Sequence, residues 1–282
     1  MSRRRFIFSL VAVGLLAAAT GPAVQCQTWR SVTMSRQLAG EEELDVRVKF
    51  GAGRLSISPG EADALYQMHL RYDEDTFSPV AEYEGKVLKL GVDSDKHRIR
   101  WGKNDGQEMG LSLTRTVPMK LDLEFGAVRA ELDLGGIQMT ELEVSTGASE
   151  SHIEFSEPNP IRMTRADFGA GAADFHLLTL GNLNAQVINV DAGVGNVVLD
   201  FQGQWQGDAQ VIVDMGLGAL ELRFPEGLGV KLVKDTFLTS LDSEGLVKRG
   251  DTYQSLDWDE ALYKVTVEVD AAFCSIDVVW VR

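Results

Sequence analysis

The feature that most constrains this chain is a glycine step that recurs at nearly fixed spacing. Gly126-Ala127-Val128, Gly147-Ala148-Ser149, Gly169-Ala170-Gly171, Gly193-Val194-Gly195 and Gly216-Leu217-Gly218 begin 21, 22, 24 and 23 residues apart, and Gly51-Ala52-Gly53 is an earlier copy. Four, six and eight residues after the first glycine stand apolar side chains, as in Ala130/Leu132/Leu134, Ala173/Phe175/Leu177 and Leu220/Leu222/Phe224. Alternating segments also precede the steps, as in Leu121/Leu123, Ile188/Val190 and Val211/Val213. Period-2 alternation marks a half-buried strand, and a glycine inside such a pattern marks a bulge or tight bend. A strand, a corner and a second strand repeated at this period make the chain coil. One unit cannot bury its apolar face alone, so the units stack around a shared core.

The glycines Gly51, Gly53, Gly126, Gly147, Gly169, Gly171, Gly193, Gly195, Gly216 and Gly218 therefore read as structural corners. The expected fold is all-β: a single-domain β-solenoid, right-handed and β-helix-like, with repeats of 21 to 24 residues. A leucine-rich repeat has a similar period, but its L-x-x-L-x-L-x-x-N core is missing. A β-sandwich does not predict a recurring unit of this length.

Around the array the chain divides into further parts. Residues 1–23 carry three arginines, then an apolar run from Phe6 to Ala19, then small residues, which is the order of a secretory signal peptide. That run is too short to span a bilayer, and no later segment is long and apolar enough to do so. Cys26 follows the run, but Val24-Gln25 is a poor lipoprotein site. Residues 24–40 read as an N-terminal linker and 41–118 as a capping part of the solenoid. Residues 119–282 form the repeats, with an insertion at 225–262 and a terminal unit at 263–282 that closes the stack. In that last unit Ala272-Phe273-Cys274 replaces the glycine step.

The charge balance is acidic, with 27 Lys+Arg against 42 Asp+Glu, a net −15. Removing residues 1–23 takes away three arginines and no acid, so −15 becomes −18. Such a chain lacks the basic clusters that neutralise phosphates, which argues against nucleic acid. Two cysteines cannot build a disulfide framework or a thiolate zinc site.

No G-x-S-x-G, H-E-x-x-H or phosphate-binding loop is present. Laying the repeats over one another places His152 between Glu131 and Asp174, and His176 between Glu154 and Asp200, one strand spacing apart. Imidazole flanked by carboxylates can ligate a divalent metal. His152, Glu154, His176 and Asp200 are therefore the candidate metal or ligand residues of a protein that otherwise needs no cofactor. Asp200 beside Arg223 reads as a cross-strand ion pair.

The glycine-cornered units resemble the bacterial toast-rack family, the C-terminal region of cell-wall-active-antibiotic response proteins and related adhesin-like proteins. The likeness rests on Phe50-Gly51-Ala52-Gly53, the repeated corners and the closing Lys264–Val269 strand. It implies an envelope protein without catalysis. The expected function is thus an exported, periplasmic or cell-surface module, adhesin-like or scaffolding. Its partner would be an envelope protein or glycan, and end-to-end association of copies is a further expectation. The alternative is a calcium-dependent enzyme of the parallel β-helix type acting on acidic polysaccharide. Asp133, Glu154, Asp200 and Arg223 would then share one face.

Overall fold

The computed structural model describes residues 28–94, 106–236 and 239–282. Residues 1–23, read above as an expected export signal, Cys26 and Phe237-Leu238 lie outside the described residues. The body is a stack of long strands: β2 (Leu44–Pro59), β7 (Met119–Asp133), β8 (Met139–Glu154), β9 (Met163–Leu178), β10 (Ala185–Asp200), β11 (Ala209–Pro225) and β16 (Lys264–Val281). They pair in parallel in that order. The chain is an all-β solenoid, with each long strand one rung.

Each rung bends at its glycine step into two arms. In β11 the buried residues are Val211, Val213 and Met215 before the step, then Leu220, Leu222 and Phe224 after it. The inward set is odd-numbered in one arm and even-numbered in the other. An unbroken alternation would turn one arm's polar side to the core, so the corner must absorb an odd residue, as a β-bulge does. Phe168 and Phe175, from the two arms of β9, meet edge to face with ring centroids 6.3 Å apart, so the arms face each other across the core. At the far end of the second arm, Phe201 lies 4.6 Å from Phe224, which lies 5.8 Å from Trp280.

The loops that return from one rung to the next also stack, and they carry buried polar residues. The Asn159 amide donates to the Met139 and Leu183 carbonyls while its oxygen accepts the Met139 and Ile161 N–H groups. Asn184 donates to the Asn159 carbonyl, and Asn182 to that of Phe155. These side chains satisfy backbone groups that a buried loop would otherwise leave unpaired.

The two ends of the stack are not simple rungs. At the first end, β5 (Val87–Ser94) and β6 (Glu108–Leu113) run beside the two arms of β2. Antiparallel strands β4 (Phe77–Glu84), β3 (Ala64–Asp73) and β1 (Trp29–Gln37) then extend them. At the other end, β12 (Gly229–Thr236) and β13 (Ser240–Asp242) flank the arms of β16. Beyond β12 come β15 (Thr252–Ser255) and β14 (Leu246–Arg249).

Two expectations are corrected by this topology. The terminal unit does not close the stack, because β16 is inserted between β11 and β12, and residues 225–262 form the cap. Residues 29–37 are not linker but the outer strand β1. The exposed edges carry charge or proline: Arg30 and Arg36 on β1, Pro79 with Glu82 and Glu84 on β4, Lys248 and Arg249 on β14. Such residues oppose strand addition by another chain, which counts against end-to-end association.

Candidate functional site

The glycine column sets the register of everything on the surface. Gly51, Gly126, Gly147, Gly171, Gly193 and Gly216 stack on one another, and Ala272 completes the column in β16. A Cβ on Gly193 would lie 2.6 Å from the Gly171 carbonyl oxygen. Gly169 is therefore not a corner residue. It pairs with Ser145 and Asp191, two positions earlier. The corner of β9 is Gly171-Ala172-Ala173, and the superposition of this one repeat shifts by two residues. Gly53, Gly195 and Gly218 are second glycines of their steps and do take the left-handed region, with φ of 117°, 141° and 143°.

The shift redistributes the candidate site. His152 and His176 are direct cross-strand partners, with ring centroids 4.5 Å apart. His152 faces Glu131 on its other side, with Nδ1 3.7 Å from Oε1. His176 Nε2 lies 3.0 Å from Oδ1 of Asp174 on its own strand. Glu154 pairs with Leu178, not with His176, and Asp200 is paired with Arg223. The four-residue set His152, Glu154, His176 and Asp200 therefore does not converge. Among the described residues no three His, Cys, Asp or Glu side chains form a metal-ligand cluster.

The expected ion pair is also redirected. Arg223 Nε bonds Glu221 at 2.5 Å. Asp200, 8 % exposed, accepts the Gln202 backbone N–H and its side-chain amide. Asp133 likewise accepts the Gly135 N–H and the Ser156 hydroxyl. Both aspartates end the second arm and open the return loop as Asx turns. Leu178 separates Glu154 from Asp200 in their column. The carboxylates assigned to calcium-dependent catalysis are thus divided and partly committed to turns.

A feature that the sequence superposition passed over lies along the outside of the corner. Two residues before the glycine column, Asp191, Asp214 and Asp270 stand in register on consecutive rungs, and Asp235 continues the line on β12. All four are exposed, and none has a cationic partner among the described residues. Burial, and then the charges of Asp191 and Asp270, push the Asp214 carboxyl above its ordinary value. At the first end the same column holds Lys49 and Glu124, which pair with each other. One residue after the glycine column the side chains are alanines in the first four rungs, then Val194, Leu217 and Phe273. These three are 49 %, 51 % and 52 % exposed. The recurrence D-A-G-V-G, D-M-G-L-G, D-A-A-F-C is the sequence signal that marks this strip.

Stacked parallel rungs with glycine corners define a class, the parallel β-solenoids. Within it, the chain belongs to the family described as the N-terminal domain of toast_rack, DUF2154, which matches residues 26–176 and 160–223. Among solved structures, the chain is similar to a "putative cell adhesion protein" from Clostridium sporogenes, with 20% identity and a TM-score of 0.48, covering 90% of this chain and 100% of that one. It is similar to a "putative adhesin" from Bacteroides fragilis at 10% identity and a TM-score of 0.34, covering 89% and 97%. A "putative lipid binding protein" from Parabacteroides distasonis gives 9% identity and a TM-score of 0.36 over the same shares. No curated protein matches the chain.

Proposed function

We propose that this protein is an exported module of the cell envelope that works by binding, in an adhesin-like or scaffolding role, rather than by catalysis. The observation that carries the reading is the distribution of polar groups. Charged side chains lie in ladders along extended outer faces, and the buried polar side chains of the return loops, Asn159, Asn182, Asn184 and Asp200, bond backbone groups there. On the second arm Leu178 stands between Glu154 and Asp200, and Asp133 and Asp200 are held in turns, so these carboxylates are not placed as a free acid–base pair. No helix among the described residues is long and apolar enough to cross a membrane. The exported location rests on the charged and apolar order of residues 1–23.

Fractionation of cells expressing the tagged full chain, with chemical crosslinking, tests this. The expected result is recovery in the envelope fraction with a discrete crosslinked adduct. Recovery in the cytoplasmic fraction, or only uncrosslinked monomer in the envelope, would overturn it.

A further inference from the structure

Arg54 on β2 and Arg129 on β7 are direct cross-strand partners, so two arginines stand one strand spacing apart on the outer face of the second arm. Like charges in that position are destabilising. Arg129 is compensated, since its Nε and Nη2 donate to Oε2 of Glu150 on β8 at 3.0 and 2.6 Å. Arg54 is exposed and bonds no carboxylate among the described residues. Glu108, its cross-strand neighbour on the other side, forms no ion pair with it. Arg54, Arg129 and Glu150 line one hollow of about 560 Å³, within the size range of small-ligand pockets. The rest of its wall is small and apolar, with Ala52, Ala127 and Ala148 side by side in one column. That column is alanine in the first four rungs and turns to Val194, Leu217 and Phe273 in the last three, so the small side chains are what leaves room at this end.

Three features specify the occupant. The Arg54 guanidinium is a planar fork that matches a carboxylate. Both bonds from Arg129 fall on Oε2 of Glu150, so Oε1 is left to accept from a hydroxyl. The alanine methyl groups offer an apolar surface to C–H groups. A carboxylate, hydroxyls and an apolar ring face occur together in a sugar acid. A neutral sugar leaves Arg54 unpaired, and a sulfate or phosphodiester has no proton to give Glu150. A chain of many acidic units is repelled by the net charge of −15. We propose that this hollow binds a single sugar acid, such as a uronate, carried by an otherwise neutral envelope glycan. The proposal rests on the binding-module reading and names the class of ligand.

The test titrates the full chain with methyl glucuronide and with methyl glucoside, the same ring with and without a carboxylate, read by saturation-transfer NMR. The wild type should transfer saturation to the ring C–H protons of the glucuronide and bind the glucoside about tenfold more weakly, the loss of one charge-assisted contact. Arg54→Gln should lose on the order of tenfold for the glucuronide by the same reasoning. Ala127→Leu, at an exposed position, places a larger side chain in the hollow and should lose about tenfold or more without a change of charge. Arg165→Gln, an exposed arginine on the other arm, should bind as the wild type does. Thermal unfolding shows whether each variant is folded.

Any of four results would overturn the proposal: no binding of the glucuronide by the wild type, equal binding of the glucoside, an equal loss in Arg165→Gln, or full affinity in folded Ala127→Leu. Acetate or an acidic peptide competing as strongly as the glucuronide would reduce the hollow to a plain carboxylate site and also overturn it. Crosslinking in the envelope separates the two readings. If the wild type is recovered there with its adduct and the glucuronide never binds, the sugar-acid assignment fails while the module reading stands.

Discussion

Substituting alanine along the glycine column gives opposite outcomes at two sites of the same backbone type, and this makes the column testable. At Gly193 a methyl group would lie 2.6 Å from the Gly171 carbonyl oxygen, where ordinary contact begins near 3.4 Å. The obstacle is backbone rather than the end of a flexible side chain, so the rungs must separate locally by most of an ångström. Overpacking of this kind costs about 1–3 kcal/mol. A Gly→Ala change also narrows the unfolded ensemble, which offsets about 0.4–1 kcal/mol. The net expectation for Gly193→Ala is a loss of about 1–2 kcal/mol, a fall in Tm of roughly 2–8 °C for a chain of this size. Gly51 occupies the same column, and a methyl carbon placed there would have nothing within 4 Å. Gly51→Ala should therefore be neutral or raise Tm slightly. Gly195→Ala is the harsher case, because its methyl would overlap the Ala173 carbonyl and its φ of 141° adds about 1–2 kcal/mol of backbone strain. Thermal and urea unfolding of the three variants measure this directly. Equal losses at Gly51 and Gly193 would refute the argument that close stacking, rather than corner flexibility, selects glycine in this column.

Other outcomes follow from the packing and the charges. Asn159→Ala removes a buried amide that pairs groups of Met139, Ile161 and Leu183. It should cost on the order of 3 kcal/mol or more in urea unfolding, because buried carbonyls and N–H groups are left unpaired. Phe224→Ala, between Phe201 and Trp280, should cost about 3–5 kcal/mol by the same measurement. The Asp214 carboxyl is raised in the folded state, so the folded protein disfavours its ionised form. Its contribution is destabilising at neutral pH and vanishes as pH falls below the ordinary aspartate range. Asp214→Asn should thus add no more than about 1 kcal/mol of stability at pH 7, the ceiling for exposed charges, and should leave Tm unchanged in acid. Zinc added to wild type and to His176→Ala should give the same weak heats by calorimetry, since two imidazoles with scattered carboxylates do not make a ligand set.

The superposition of repeats read from the sequence holds for every rung but one, and the exception has a definite cause. Gly169-Ala170-Gly171 and Gly171-Ala172-Ala173 both present a glycine step, and the resulting spacings are equally regular. A slip of one residue would turn Phe175 and Leu177 outward and be visible in the pattern. A slip of two leaves inside and outside unchanged. It alters only which outward residues are neighbours, and the candidate site consists of outward residues. The slip draws Glu154 and Asp200 toward His176 and separates His152 from it. The ladder Asp191, Asp214, Asp270 lies in plain recurrence before the glycines, yet it gains meaning only when the rungs are seen to be adjacent.

Local order was decided in the sequence. Alternation fixes which side chains of each arm turn inward, and the spaced glycines fix where a strand can bend and let another backbone lie against it. These are nearest-neighbour properties, so a linear pattern records them. The tertiary structure alone decided the order of the ends and the partners across rungs. Strand β1, strands β3 to β6 and strands β12 to β15 lie outside the array of long rungs and cap it, while β2 is itself a rung and β16 returns to an interior position. Exposed parallel edges must be covered by something, but no periodicity says which segment does so. The corner strip of aspartates beside Val194, Leu217 and Phe273 has the same origin, since its members are 23 and 56 residues apart in the chain and become one surface only through hydrogen bonding between rungs.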